Sequence, residues 1–240
     1  QALNGQIDRN AFPGSPIGQP MTTNNTNLGQ TTLRHAFSED VKLTVSGRYY
    51  KAAIREYGSF VNPDLMPPDP ATPTIYPIIP ITMITDTKEA TFDANLLVKA
   101  QLLGGSHAFL AGVDVDWTRF SSNMGLFVSD TPNGTIDLAR PAYDAIYAPQ
   151  LPVNYLQTDH YRTLAVYAQD QATYGRLHLT GGLRYTQLDF EEVSNIGVAN
   201  KDTYHRVSPR IGATFDLVPG VAAFAGYTSA FRAAFGFVGM

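Results

Sequence analysis

The sequence contains no cysteine, which excludes a disulfide framework and a metal site built on thiolates. No window approaches eighteen uninterrupted apolar residues, because Pro77 and Pro80 break the nearest candidate, residues 75–84, so no transmembrane helix is expected. No basic and apolar leader precedes Gln1, and we expect a mature or truncated chain. The net charge of −4 and the pI near 5.7 argue against a nucleic-acid binder.

Strict alternation of apolar with polar or small residues is the main positive signal. It is clearest in four segments between residues 163 and 235. In one of them an apolar set alternates with a polar or small set: Leu177, Leu179, Leu183 and Tyr185 against His178, Thr180, Gly182 and Arg184. A period of two predicts β-strands with one apolar and one polar face.

The connectors between the predicted strands differ in length in a regular way. Tight turns are predicted at residues 38–40, 104–106, 174–176 and 218–220, and long polar or proline-rich loops at residues 61–87, 121–159 and 193–203. Residues 1–30 are also predicted to be loop. About eight strands in four hairpins result, beginning with residues 31–37, 41–60 and 88–103. Tight turns at one end and long loops at the other are typical of an all-β, antiparallel, up-and-down transmembrane β-barrel.

Aromatic residues support a membrane-spanning wall. Phe109 and Trp117 share one face of the fourth strand, eight residues apart, which is about 26 Å along a strand and about 20 Å when the strand is tilted. The same alternation predicts that Val113 faces lipid and that its neighbour Asp114 faces the lumen.

Four short segments occur in a fixed order: residues 166–171 (VYAQDQ), 181–185 (GGLRY), 208–212 (SPRIG) and 225–231 (AGYTSAF). Together with residues 33–40 and 107–114, they resemble the barrel of TonB-dependent outer-membrane receptors, most closely the ferric-siderophore branch. The resemblance implies uptake of ferric siderophores across the bacterial outer membrane, driven through a TonB energy-coupling complex, with no enzymatic activity and no cofactor. Barrels of such transporters have about 22 strands. Residues 1–240 are therefore expected to be part of the barrel domain, without the plug domain and the TonB box.

A ferric-siderophore site is expected to combine arginines with aromatic side chains near the outer mouth of the barrel. The candidates are Arg48, Tyr50, Arg119, Phe120 and Tyr147; Trp117 is set aside because its phase is that of the lipid face. No metal-binding residues are assigned. The arginines of the lumen phase, Arg48, Arg184, Arg206 and Arg210, either bind an anionic chelate or pair with carboxylates of the plug or of the lumen, such as Asp170 and Asp216.

Other interpretations remain open at this stage. A passive porin, a small closed barrel of eight strands, and a soluble β-sandwich share much of the pattern. Asp114 and Asp116 lie on one face and are interpreted as lumen lining rather than as a cation site. Asp159 and His160 could form an outer-membrane protease dyad, but no family sequence supports it. A plug domain encoded upstream in the same gene would identify the protein as a receptor. Heat-modifiable gel mobility would exclude a soluble β-sandwich.

Overall fold

The structure, a computed structural model, describes residues 22–126, 134–142, 152–195, 197 and 199–231. Its strands are β1 (Thr23–Ala36), β2 (Val41–Phe60), β3 (Ile75–Pro77), β4 (Ile79–Leu102), β5 (Gly105–Leu126), β6 (Thr135–Asp137), β7 (Tyr155–Tyr174), β8 (Leu177–Ser194), β9 (Asn200–Val218) and β10 (Val221–Thr228). No helix in this part of the chain is long and apolar enough to span a membrane.

Eight of the strands form one antiparallel sheet in the order β1-β2-β4-β5-β7-β8-β9-β10. Each strand therefore pairs with its neighbour along the chain, and the predicted up-and-down meander of eight strands is confirmed. Strands β1 and β10 form the two edges, and no pairing joins them among the described residues. The sheet is thus an open wall here rather than the closed eight-stranded barrel that the sequence left as an alternative.

Tight turns connect the strands at one end of the sheet, as predicted. The Ser38 hydroxyl accepts hydrogen bonds from the backbone N–H groups of Asp40 (3.2 Å) and Val41 (3.0 Å) and so closes the first turn. Gly175 has a φ of 59°, which suits glycine in a two-residue hairpin loop. The predicted turn at residues 104–106 lies one residue earlier, because Gly105 already pairs with Leu102.

The predicted loops 61–87 and 121–159 were too long. Strand β4 begins at Ile79, β5 continues to Leu126, and β7 begins at Tyr155; β1 also starts eight residues before the predicted position 31. Pro80 is tolerated in β4 because it pairs with Ser59 of β2, whereas pairing with β5 begins only at Ile81. At that point β4 has a neighbour on one side only, where a missing N–H donor is harmless. Residues 127–133 and 143–151 of the second loop lie outside the described residues.

The two faces of the sheet have the reverse of the burial found in water-soluble proteins. Leu183 and Val207, on what we call the apolar face, remain 59% and 55% exposed, whereas Asp159 and Thr186 on the polar face are 2% and 7% exposed. The apolar face includes Leu43, Val45, Phe92, Val113, Val115, Trp117, Leu164, Val166, Leu183, Tyr185, Val207 and Ile211. The polar face includes Arg48, Glu89, Asp93, Asp114, Asp116, Thr163, Tyr167, Arg184, Thr186, Ser208 and Arg210.

A second, two-stranded sheet ties together the first two long connectors. Strands β3 and β6 pair there, and a buried apolar cluster forms from Tyr76, Ile78, Ile136 and Leu138, against which Val61 packs. Backbone hydrogen bonds from Ile78 to Gly134 (2.9 Å) and from Leu138 to Thr74 (3.0 Å) extend the pairing. The small sheet gives the end of the wall opposite the tight turns an ordered core of its own.

Candidate functional site

Three of the predicted site residues lie on the polar face. Arg48 and Tyr50 come from β2, and Phe120 comes from β5. Arg48 forms an ion pair with Glu89 of β4, and Tyr50 lies directly opposite Glu89 in the register. Glu89 and Phe120 line one cavity of about 520 Å³. The structure therefore groups Arg48, Tyr50 and Phe120 around Glu89, and the guanidinium-bearing side chain of Arg48 stays 45% exposed and accessible.

The other two predicted residues do not join this group. Arg119 pairs in register with Lys88 and His160, and it shares the apolar face with Trp117, two residues before it. It therefore points away from Phe120, its neighbour in β5. Tyr147 lies outside the described residues.

A hydrogen-bonded network fixes the polar face beside the cavity. The Tyr167 hydroxyl donates to Asp93 (2.8 Å), and the Arg184 guanidinium lies 5.9 Å from the centre of the Tyr167 ring. Arg184 also donates to both carboxylate oxygens of Asp114, with 2.9 Å from Nη2 to Oδ1. These four side chains come from β4, β5, β7 and β8, so the network joins four adjacent strands. Gly112 leaves the space that the Tyr167 ring occupies.

The remaining carboxylates are used differently from what the sequence suggested. Asp170 lies on the apolar face and contacts His107 (2.7 Å), while Asp216 contacts His178 (3.0 Å). Among the residues that the structure describes, neither forms an ion pair with an arginine side chain, whereas Arg184 pairs with Asp114. Within the described ranges, Arg206 and Arg210 also lack ion pairs.

The cavity also contains residues that the sequence analysis did not select. Glu89, Tyr161 and Thr163 line it together with Asp116, Arg184, Thr186 and Leu188. The alternation predicts the face on which each of these residues lies. Glu89, for example, lies four residues before Asp93 in β4 and so shares its face. Their proximity depends on the register across four strands, which a single sequence does not provide.

The chemistry of the cavity suits binding of a polar ligand with apolar parts. Arg184 supplies charge-assisted donors, Thr118 and Thr163 supply hydroxyls, and Phe120 and Tyr161 supply ring surface. Arg48 does not line the cavity, but it forms an ion pair with Glu89, which does. In the part of the chain that the structure describes, no group of three or more His, Asp or Glu side chains is placed to hold a metal ion.

Asp159 and His160 are consecutive in β7 and point to opposite faces, so they do not form a catalytic dyad there.

Comparison with known proteins places this geometry in a family context. Residues 2–238 match the family model described as TonB dependent receptor-like, beta-barrel. Among curated protein sequences, none matches the chain.

Several solved structures share the fold. The ferric-catecholate import receptor Fiu from E. coli superimposes with a TM-score of 0.78 at 15% identity, over 95% of this chain and 35% of Fiu. The siderophore receptor PiuA from Acinetobacter baumannii gives 0.75 at 17% identity, over 92% of this chain and 34% of PiuA. The ferripyoverdine receptor of the outer membrane of Pseudomonas aeruginosa gives 0.72 at 19% identity, over 92% and 28%. The chain thus spans about a third of their length, and at these identities the likeness establishes the fold.

Proposed function

Because the chain belongs to the TonB-dependent receptor β-barrel family, we propose that it forms part of the wall of a bacterial outer-membrane receptor that takes up ferric siderophores. In this proposal residues 1–240 are part of the barrel domain. The apolar face contacts membrane lipid, and the polar face lines the lumen. The TonB energy-coupling complex acts through a plug domain outside the described residues.

The inverted burial of the two faces is the observation that carries the proposal. Side chains such as Leu183 and Val207 are exposed over a continuous band, while Asp159 and Thr186 are buried. A water-soluble sandwich would bury the apolar face instead. Lipid removes the cost of exposing that face, and a polar lumen suits the opposite one.

The substrate class rests on relatives of the same fold. These relatives include a ferric-catecholate import receptor and a receptor bound to ferripyoverdine. We assign the same broad class, an iron complex of a siderophore, to this receptor. Arg48 would bind ligand oxygens through its planar guanidinium, and Tyr50 and Phe120 would contact its apolar edges. Tyr147 of the second long connector remains a proposed contact.

Replacing Arg48 in the full-length receptor tests the proposed site. A lost charge-assisted contact of about 1.5–3 kcal/mol predicts that Arg48→Ala weakens binding of the cognate ferric siderophore roughly ten- to over a hundredfold. Tryptophan-fluorescence quenching or calorimetry in detergent measures the affinity, and heat-modifiable gel mobility confirms assembly.

Arg55→Ala is the matched control. Arg55 lies in the same strand and also pairs with a carboxylate of β4, Asp86, at 3.0 Å, but on the opposite face. We expect its affinity to stay within about twofold of the unmodified receptor. Unchanged affinity in an assembled Arg48→Ala receptor removes Arg48 from the site.

A further inference from the structure

The chain leaves the main sheet soon after β10. Thr228, the last residue of β10, pairs with Arg210 of β9. One more backbone hydrogen bond follows, from the Ser229 N–H to the Pro209 carbonyl oxygen (3.0 Å). Strand β9 continues beyond this point, and within the described residues its positions 200–208 have no partner on this side. The residues after Ser229 therefore no longer follow the edge of the sheet.

These residues turn inward, over the polar face. We call residues 229–231 the inward segment. Ser229 and Arg184 line one cavity of about 270 Å³, and Phe231 lines the larger cavity of about 520 Å³, to which Arg184 also belongs. Of the eleven residues that line the larger cavity, ten belong to β4, β5, β7 and β8, and Phe231 is the eleventh. The inward segment thus adds to the cavity a part of the wall that no strand provides.

An apolar patch within the polar face gives the Phe231 ring a surface to cover. The patch consists of Phe120, Tyr161, Leu188 and Phe190, and the ring centroids of Tyr161 and Phe190 lie 5.1 Å apart. Three of these residues, Phe120, Tyr161 and Leu188, line the same cavity as Phe231. An aromatic ring that enters a polar lumen is stabilised where it removes apolar surface from water. The hydrophobic effect therefore favours the inward position of Phe231.

Phe231 keeps part of its surface open to the cavity. Leu188 and Tyr161 are only 4% and 6% exposed, whereas Phe231 is partly exposed. A buried side chain mainly supports the wall, but a partly exposed ring contacts a molecule that enters the cavity. Because Phe231 has left the plane of the sheet, its ring bounds the cavity from the lumen side. Removing the ring would widen the cavity without changing any strand.

We propose that Phe231 is a specificity-determining residue of this cavity and limits the size of the molecule that binds there; this inference rests on the proposed function of the cavity as a ferric-siderophore site. A chelate that is too wide meets the Phe231 ring, and one that is too narrow loses apolar contact with it. A single methylene group in an apolar pocket changes discrimination by about 10–200-fold. One phenyl ring at the edge of the cavity is therefore sufficient to select among chelates of similar chemistry and different width.

The experiment measures the size limit without a siderophore. Thr163 lines the cavity and the 240 residues contain no cysteine, so Thr163→Cys places one thiol there in the full-length receptor. Its rates of reaction with N-ethylmaleimide, a small reagent, and with fluorescein maleimide, a bulky one, are compared in detergent, with the receptor that lacks the added thiol as background. In combination with Phe231→Ala, the ratio of the bulky-reagent rate to the small-reagent rate is expected to rise about fivefold or more, as relief of a steric clash predicts.

Two further variants keep the result interpretable. Phe224→Ala is the matched control, because Phe224 also lies on the polar face, is 85% exposed and does not line the cavity. Its rate ratio is expected to equal that of the parent Thr163→Cys receptor. Phe231→Trp enlarges the ring and is expected to lower the ratio. It keeps an aromatic side chain on the apolar patch, so the size limit is tested even where heat-modifiable gel mobility shows that Phe231→Ala does not assemble.

An unchanged ratio in an assembled Phe231→Ala receptor overturns the proposal, and so does an equal rise in the Phe224→Ala receptor. A ratio that Phe231→Trp leaves unchanged or raises also contradicts it. Neither maleimide depends on recognition of a siderophore, whereas the Arg48→Ala assay measures siderophore affinity itself. The failure of either proposal is therefore recognised without the other.

Discussion

The two faces of the wall share the same strands and the same backbone hydrogen bonds, yet their side chains behave in opposite ways. On the polar face, Asp93, Tyr167, Arg184 and Asp114 form a network that joins four strands. On the apolar face, side chains such as Leu183 remain largely exposed. Side chains of the polar face are therefore held by contacts with one another, whereas side chains of the apolar face contact the medium around the protein. The exposure of an apolar side chain is unfavourable only when that medium is water, so it can be interpreted only when the medium is known.

Introducing an arginine on each face in turn should give the largest difference between the two faces. Val113 lies midway between Phe109 and Trp117, and an arginine at the bilayer midplane costs about 2–4 kcal/mol in a barrel wall. Val113→Arg in the full-length receptor is expected to reduce the heat-modifiable, membrane-assembled fraction severely. Thr163→Arg, on the polar face opposite Asp116, is expected to assemble nearly normally. Equal losses in the two variants would place both side chains in equivalent surroundings.

An added methyl group should distinguish the packed face from the open one with a smaller effect. A Cβ at Gly112 would lie 2.6 Å from the Tyr167 ring and hydroxyl and 2.8 Å from the Ala94 carbonyl oxygen, whereas at Gly181, on the apolar face, it would meet nothing within 4 Å. Gly112→Ala should destabilise the receptor by about 1–3 kcal/mol, because overpacking displaces Tyr167 from Asp93 and Arg184.

Gly181→Ala should change the free energy of unfolding by less than about 0.5 kcal/mol. Denaturant titration of both variants in the same detergent measures the difference. Equal midpoints would show that the polar face is not packed around Tyr167.

Much of the wall follows from alternation alone. Period-two patterning predicted eight strands, the facing of Val113 and Asp114 on opposite sides, and the tight turns, because turn residues and pleat geometry are local properties. The same rule also determines the facing of Arg119. It lies two residues after Trp117 in β5, so it shares the apolar face for which Trp117 had been set aside from the site. Applying the same two-residue alternation to the end of β5 would have placed Arg119 and Phe120 on opposite faces.

Other features of the wall could not be predicted without the register in which the strands pair. The pairs Arg48–Glu89 and Arg184–Asp114 join residues 41 and 70 positions apart, and their proximity depends on how several strands align. Strand ends were misjudged for a related reason. Pro80 signals a loop in the sequence, but its tolerance depends on whether β4 has one neighbour or two at that point.

The most direct test of the account is the environment of Leu164 and Thr163, two consecutive residues of β7 that point to opposite faces. The 240 residues contain no cysteine, so Leu164→Cys and Thr163→Cys each carry a single spin label within this region of the full-length receptor in lipid vesicles. Power-saturation measurements compare collisions with oxygen, which concentrates in lipid, and with a water-soluble nickel chelate. The account predicts that oxygen dominates at position 164 and that the nickel chelate gains relative to oxygen at position 163. The reverse order, or equal ratios at both positions, would contradict the assignment of the apolar face to lipid.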